Sequence, residues 1–358
     1  MDFLVQSAIN AQENLKWDVD TVGQATIRVV GCGGAGNNMV DWLYHKGVKG
    51  AEVISLNTDK LHLDSREADK KVLIGKETTK GLGAGGFAKV GEEAAKESSQ
   101  EVRDTLRSTD MVFVCAGLGG GTGTGSAPVV AKLAKDMGAI VIGTVTMPFK
   151  IEKARVEKAE EGLAKLREVC DTVIVIDNDR LVQIAGELPV NQAFGVANEL
   201  ISTMIKGIVE VIAIPSLVNL DFADVKAIMS KGGVSVIGVG ESTSENRVDE
   251  SVKRALSNPL LDVAYEGASG ALIHISGGED LTLSEVNRIG ELVTESLDMD
   301  ATVIWGARVN KELKGRIRVM TIITGVKSPF ILGPVNFARE EREAARTMSK
   351  DLGIEMLR

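Results

Sequence analysis

Ten residues govern what this chain can become. Gly117-Leu-Gly119-Gly120-Gly121-Thr122-Gly123-Thr124-Gly125-Ser126 stands between the apolar runs Met111-Val-Phe-Val and Ala127-Pro-Val-Val-Ala. Six glycines in nine residues give nothing to a core and lose much backbone entropy on folding. A structural turn needs one or two of them. The excess, between a strand pattern and a helix pattern, predicts a loop whose N–H groups face an anion at a helix N-terminus. Thr122 and Thr124 add hydroxyl donors, making a cradle for several phosphate oxygens. No lysine follows the last glycine, so this is not a Walker A loop. Charge neutralisation falls to the helix dipole, a metal ion and residues from elsewhere.

Two further glycine clusters are more ambiguous. Gly31-Cys-Gly33-Gly34-Ala35-Gly36-Asn37-Asn38 also joins a strand pattern to a helix pattern. Alone it is G-x-G-x-x-G, a pattern common to dinucleotide sites and tight packing turns. Gly81-Leu-Gly83-Ala84-Gly85-Gly86 reads either as a flexible linker or, beside the other two, as a loop that senses phosphate.

Periodicity sets these loops in a frame. Strands are expected at 26–30, 52–56, 71–74, 111–116, 140–146 and 172–176, and helices at 38–45, 90–106, 128–137 and 153–168. Such alternation predicts a Rossmann-like α/β domain with a mostly parallel sheet covered on both faces. A long helix over 191–212 follows, with apolar Phe194, Ala197, Ile201, Ile205, Ile208 and Ile212. Its 3–4 spacing lasts about six turns and ends at Pro215. Strands at 234–240, 271–276, 302–309 and 318–324, with helices at 246–256 and 284–297, form a smaller α/β unit. The expected division is an N-terminal arm (1–25), a first α/β domain (26–190), a central helix (191–214), a second domain (215–326) and a tail (327–358), helical over 336–358.

Composition narrows the classes. The 358 residues are 44% hydrophobic and 25% charged, as in ordinary globular proteins. A net charge of −9 without a Lys/Arg stripe argues against nucleic-acid binding. Cys32, Cys115 and Cys170 are scattered, which fits a reducing cytoplasm and offers neither a disulfide framework nor a zinc site. His45, His62 and His274 are too dispersed for a metal cluster. No apolar run reaches the length of a membrane span, and residues 1–20 lack a secretory pattern. A cytosolic protein without membrane insertion is expected.

The stretch Gly119-Gly-Gly-Thr-Gly-Thr-Gly125 resembles the tubulin signature, and its flanks look like those of the FtsZ family. The resemblance continues through Asn57-Thr-Asp59, Gly81-Leu-Gly-Ala-Gly85, Pro148-Phe149, Asn178-Asp179 and Asn219-Leu-Asp221-Phe-Ala-Asp224, in unbroken order over roughly residues 26–326. It implies a GTPase that polymerises head to tail and assembles the division ring at mid-cell. Gly33, Gly34, Ala35, Gly36, Asn37 and Asn38, with Gly120, Gly121, Thr122, Gly123, Thr124 and Gly125, would hold the phosphates of GTP or GDP. Asp59, Gly83, Ala84 and Gly85 would stand beside them. Glu152 would contact the ribose with Arg155, one residue nearer than the family pattern. Asn178 would lie near ribose and base, and Phe194 would stack on guanine. Glu199, preceded by Asn198, occupies the place where many relatives carry an aspartate for the guanine edge. Mg²⁺, held mainly through the phosphates, and a monovalent cation are the implied ions. The tail would meet a membrane adaptor, although its end, Asp351-Leu-Gly-Ile-Glu-Met-Leu-Arg358, departs from the bacterial adaptor peptide.

Asn219, Asp221 and Asp224 lie at the far end of the long helix from Phe194, tens of ångströms away. Without context Asp221 reads as a helix cap. Phosphoanhydride hydrolysis, however, needs a group to orient water. The family arrangement sends both aspartates into the next subunit's pocket, with Asn219 in support. Two rivals differ in class. A dinucleotide oxidoreductase needs an acidic residue closing the second strand, which here ends in Asn57, and leaves the second glycine cluster unexplained. A non-hydrolysing paralogue would be supported by loss of the acidic pair, and both aspartates are present.

Overall fold

The structure, a computed structural model, describes residues 25–214, 216–218, 222–229, 235–257, 265, 268–295 and 297–326. The arm up to residue 24 and the tail from 327, with its expected helix, lie outside them. Strands β1 (Ile27–Cys32), β2 (Ala51–Asn57), β3 (Lys70–Leu73), β4 (Met111–Gly117), β5 (Ile140–Met147) and β6 (Thr172–Asp177) form one sheet, ordered β3-β2-β1-β4-β5-β6. Every pairing in it is parallel. Strands such as Met111-Val-Phe-Val-Cys-Ala are apolar without alternation because helices cover both faces. The crossovers carry α1 (Gly33–Lys46), α2 (Lys60–Asp64), α3 (Lys76–Thr79), α4 (Ala88–Glu97), α5 (Ser99–Thr105), α6 (Thr122–Asp136) and α7 (Ala154–Arg167). Strand order reverses between β1 and β4, and ligands of open α/β sheets bind in the crevice such a reversal leaves at the strands' carboxyl ends.

Helices α8 (Asn178–Ala185) and α9 (Val190–Ala213) lead out of this sheet, and α10 (Phe222–Met229) follows. A second sheet contains β7 (Ser235–Ser242), β8 (Ala268–Gly277), β9 (Leu297–Val309) and β10 (Ile317–Thr324), with α11 (Arg247–Leu256) and α12 (Leu283–Thr294) between strands. Its order is β7-β10-β8-β9; β10 is antiparallel to β7 and β8, and β8 is parallel to β9. The apolar stripe of α9 unites the two parts. Ile201, Ile205 and Ile208 belong to one buried cluster that holds Val29 and Phe113 of the first sheet and Ile237, Leu272 and Ile322 of the second.

Helix boundaries differ from expectation at several places; the helix expected over 284–297, for one, ends at Thr294, and Leu297 opens β9. Helix α1 begins at Gly33 and α6 at Thr122, so each glycine cluster supplies a first helical turn as well as a loop. Glycine has poor helix propensity, but close packing overrides it here. A Cβ on Gly36 would collide with the Cys115 carbonyl, and one on Gly31 with that of Gly36. The expected helix over 90–106 is two helices, broken at Ser98, whose hydroxyl accepts a hydrogen bond from Gly75 N–H (2.9 Å).

All three cysteines are free and buried. Burial pushes the Cys32 thiol up to about 12 and raises Cys115 and Cys170 well above the ordinary thiol range. Because the thiolate is the nucleophile, the native protein is expected to resist iodoacetamide at pH 8. All three sites should react only in denaturant, as intact mass would record.

Candidate functional site

Strands β1 and β4 run in register, Cys32 beside Ala116, so their following loops emerge together. Gly33 has φ +72°, and a Cβ there would lie 2.7 Å from Gly123 N. The two glycine turns therefore touch backbone to backbone. Above them opens a cleft of about 620 Å³. Its floor is Gly34, Ala35 and the turn from Gly117 to Gly123; one wall is the end of β5 and the segment after it, Thr146 to Phe149; Glu152, Arg155, Asn178 and Phe194 close the rest.

The cleft's polar side chains are held in place. Glu152 Oε1 accepts from Phe149 N–H (3.0 Å) and Oε2 from Arg155 Nη1 (2.7 Å), fixing both ends of the carboxylate. Thr122 and Thr58 share a hydroxyl hydrogen bond of 2.6 Å. Phe194, 42% exposed, meets Phe149 edge-on at 6.0 Å between ring centroids. An exposed aromatic braced by a second aromatic is a ready stacking surface for a planar ring.

Ten of the residues singled out in the sequence line the cleft: Gly34, Ala35, Gly120, Gly121, Thr122, Gly123, Glu152, Arg155, Asn178 and Phe194. Others stand behind it. Asn37 is fully buried, donating to the Gly31 and Leu56 carbonyls and accepting from Asn57 Nδ2. The Thr124 hydroxyl accepts from Gly119 N–H (2.9 Å), shaping the loop. Gly36 and Gly125 permit close packing, a Cβ on Gly125 colliding with the Ala88 carbonyl. Asn38 is half-buried, and its Oδ1 has no hydrogen-bond partner among the described residues. Asp59 caps α2 by accepting from His62 N–H (3.1 Å). The third loop flanks the floor: Gly83 N–H donates to the Thr58 carbonyl (3.2 Å), a Cβ on Gly121 would reach Ala84 Cβ at 2.8 Å, and Gly85 has φ +58°.

Glu199 is elsewhere. Its carboxylate accepts from Trp42 Nε1 (2.8 Å) and pairs with Lys46, and it lines a separate cavity against the second sheet. Helical geometry explains this: five residues beyond Phe194 is about 140° round the axis, whereas Asn198, four beyond, stays on Phe194's face. Asn198 is half-buried. Asn219 and Asp221 lie outside the described residues. Asp224 is in the first turn of α10, whose Val225, Ile228 and Met229 are buried in the shared core.

Sequence reasoning passed over Thr146 and Met147 at the end of β5, although carboxyl ends of strands beside a reversal of strand order are where such sheets bind ligands. It also passed over His62, whose Nε2 lies 3.7 Å from the position a Cβ on Gly34 would take.

Known proteins share this architecture. The chain is 57% identical over 333 residues to cell division protein FtsZ 2 of Methanocaldococcus jannaschii, covering 92% of this chain and 88% of that one. The chain belongs to the FtsZ family. The GTPase-domain model of the Tubulin/FtsZ family matches residues 26–186, and the FtsZ family C-terminal domain model matches residues 233–327. FtsZ 2 of Halobacterium salinarum is 54% identical over 340 residues, 93% of this chain and 86% of that one. The solved empty FtsZ dimer of M. jannaschii superposes with a TM-score of 0.78 at 48% identity, covering 89% and 91% of the two chains. A GTPγS-bound protofilament of CetZ2 from Haloferax volcanii gives 0.72 at 25% identity, covering 90% and 99%. As an FtsZ-family protein the chain is a tubulin-like GTPase of cell division that binds GTP and GDP. No helix among the described residues is long and apolar enough to cross a membrane.

Proposed function

We propose that GTP lies in this cleft and is hydrolysed when a second copy docks head to tail and brings its acidic segment to the phosphates. The phosphates would rest on Gly34, Ala35 and residues 120–125, close to the N-termini of α1 and α6, where free N–H groups and two helix dipoles favour an anion. Glu152 and Arg155 would hold the ribose and Asn178 the junction with the base. Phe194 would stack on guanine, and Asn198, not Glu199, would read its edge. Asp221 and Asp224, supported by Asn219, would orient the attacking water. In this reading residues 26–190 are the GTP-binding domain, 191–214 the central helix and 215–326 the activation domain.

The observation that carries the proposal is the separation between cleft and acid. Helix α9 is 24 residues long, which puts its end roughly 30 Å from Phe194, and Asp224 lies beyond it on a helix anchored in the core. An intrachain approach is out of reach; a neighbour can make it. Large apolar side chains support the docking. Leu82, Phe87 and Ile151 are exposed around the cleft, and Leu217, Val218 and Trp305 are exposed in the second part. One such face against a different one makes a heterologous contact that does not close, hence a filament. The solved FtsZ dimer and CetZ2 protofilament are consistent with such self-association.

Among the described residues no three His, Cys, Asp or Glu side chains gather into a metal site. The donor set thus suits Mg²⁺ that arrives on the nucleotide as part of the substrate, with a monovalent cation as a further ion. The filament would form the mid-cell ring, tied to the membrane by an adaptor bound through the tail.

The test is phosphate release against protein concentration, with GTP and ATP compared. Specific activity with GTP should rise as filaments form; a flat profile overturns the shared site. In competition against labelled GDP, ATP should bind roughly a hundredfold more weakly, since a hydrogen-bonding site rejects a base of the wrong pattern. Asn198→Ala should weaken GDP about tenfold through one lost hydrogen bond, while Glu199→Ala should leave it within about twofold. The reverse result would return the guanine contact to Glu199.

A further inference from the structure

On the side of α9 turned to the second sheet, Glu199, Thr203, Lys206 and Glu210 recur at helical spacing and line a cavity of about 450 Å³. Thr203, Lys206 and Glu210 are half-buried there, while Glu199 stays exposed. Half-buried polar residues between two packed parts are unusual, because helices normally turn apolar residues that way. The opposite wall is built by strand register. Across the second sheet Glu241 pairs with Arg318, Arg318 with Ser276, and Ser276 with Arg308. The next row on the same face holds Val239, Met320 and His274. All of these residues line the cavity.

Charge does not balance there. Lys46 pairs with Glu199, and Lys206 approaches Glu210 at 3.8 Å. Glu241 alone serves two guanidiniums, Arg316 at 2.6 Å and Arg318 at 2.7 Å. Arg308 has no ion-pair or hydrogen-bond partner among the described residues. Among the lining residues Lys46, Lys206, Arg308 and Arg318 face only Glu199, Glu210 and Glu241, one positive charge in excess. Arg316 beside them draws further on Glu241, in a protein whose net charge is −9. His274 adds no charge: burial and the neighbouring Arg308 push its pKa down to about 4. It is 5% exposed, its Nδ1 lies 3.4 Å from the Ser276 hydroxyl, and its Nε2 has no hydrogen-bond partner among the described residues.

We propose that this cavity is a second ligand site, for a small phosphate monoester whose dianionic head lies over Ser276 between Arg308 and Arg318. Neighbouring strands are about 4.8 Å apart, so the two arginines flank the Ser276 strand at a separation a phosphoryl group can span. Guanidinium forks match phosphate oxygens with charge-assisted hydrogen bonds. Val211, Val239 and Met320 give the organic body an apolar rest, and Lys206 stands on the facing helix. The site is separate from the nucleotide cleft and touches both parts of the protein, so occupancy holds α9 against the second sheet.

The test uses full-length protein saturated with GDP, so that the nucleotide cleft is already filled, in phosphate-free buffer of low ionic strength. Phenyl phosphate, inorganic phosphate and phenol are titrated by calorimetry. Phenyl phosphate should bind with one-to-one stoichiometry, inorganic phosphate more weakly, and phenol not at all. Arg308→Ala should weaken phenyl phosphate about tenfold without altering GDP affinity. Absence of phenyl phosphate binding, equal binding of phenol, or indifference to Arg308→Ala overturns the proposal. Hydrogen exchange on the GDP-loaded parent protein decides independently of any variant. Phenyl phosphate should protect residues 203–211 and 272–276, and protection confined to other segments would refute the site.

Discussion

Asp224→Ala is expected to hydrolyse GTP at least about a hundredfold more slowly than the parent while binding it within about twofold as well. The asymmetry follows from position. Asp224 lies beyond the far end of α9, which is itself roughly 30 Å from Phe194, and it does not line the cleft of its own subunit, so it should contribute little to ground-state binding there. On the shared-site proposal, removing its carboxylate would leave the transition state in the neighbour's cleft without a group to orient water. The fold should tolerate the change, because the burial of α10 rests on Val225, Ile228 and Met229 rather than on residue 224. Competition against labelled GDP measures binding, and phosphate release at several protein concentrations measures turnover. Parental turnover in an Asp221/Asp224 double alanine would end the shared-site reading. Mixing Asp224→Ala, which has a sound cleft, with a variant that keeps its aspartates but cannot hold nucleotide should restore part of the activity.

The first sheet was legible because each strand is a short apolar run closed by glycine or polar residues, and length separates such runs from helices. Where helices begin was less legible. Propensity places the start of α1 at Asn38 and that of α6 at Pro128, yet both begin inside the glycine clusters. What decides those turns is contact between segments far apart in sequence: Gly33 against Gly123, Gly36 against Cys115. Ten of the residues picked out for the cleft line it, since two loops after adjacent parallel strands must emerge side by side. The different surroundings of Asn198 and Glu199 were legible, because counting helical turns puts Asn198 beside Phe194 and sends Glu199 to another face. The row Glu241–Arg318–Ser276–Arg308 was not legible at all. It exists only through strand pairing, and nothing in three separate segments announces that their polar residues share one register.

Gly120→Val is expected to weaken GDP binding roughly a hundredfold, by denying the phosphates two or so charge-assisted hydrogen bonds, while leaving the fold intact. The choice of glycine matters because neighbouring positions answer to different constraints. At Gly123, a Cβ would stand 2.8 Å from the Gly117 carbonyl oxygen and 3.0 Å from that of Cys32. Neither backbone can yield without moving β1 or β4, so Gly123→Val should destabilise the protein, and its loss of binding would say little about phosphate. At Gly121, the Cβ would press on Ala84 and the third loop. At Gly119, φ is +92°, a region that side chains avoid whatever the space. Gly120 alone among these four has an ordinary φ and nothing within 4 Å of the Cβ position, and it lines the cleft. A valine Cβ there meets no protein atom within 4 Å, so on the proposed reading the side chain would intrude only on the phosphates. Thermal unfolding without nucleotide should match the parent within a few degrees, whereas the rise in midpoint that saturating GDP gives the parent should largely disappear. A Gly120→Val protein with a parental GDP-dependent shift would move the phosphates off this turn. A Gly123→Val protein as stable as the parent would show that the carbonyls of Gly117 and Cys32 are free to part.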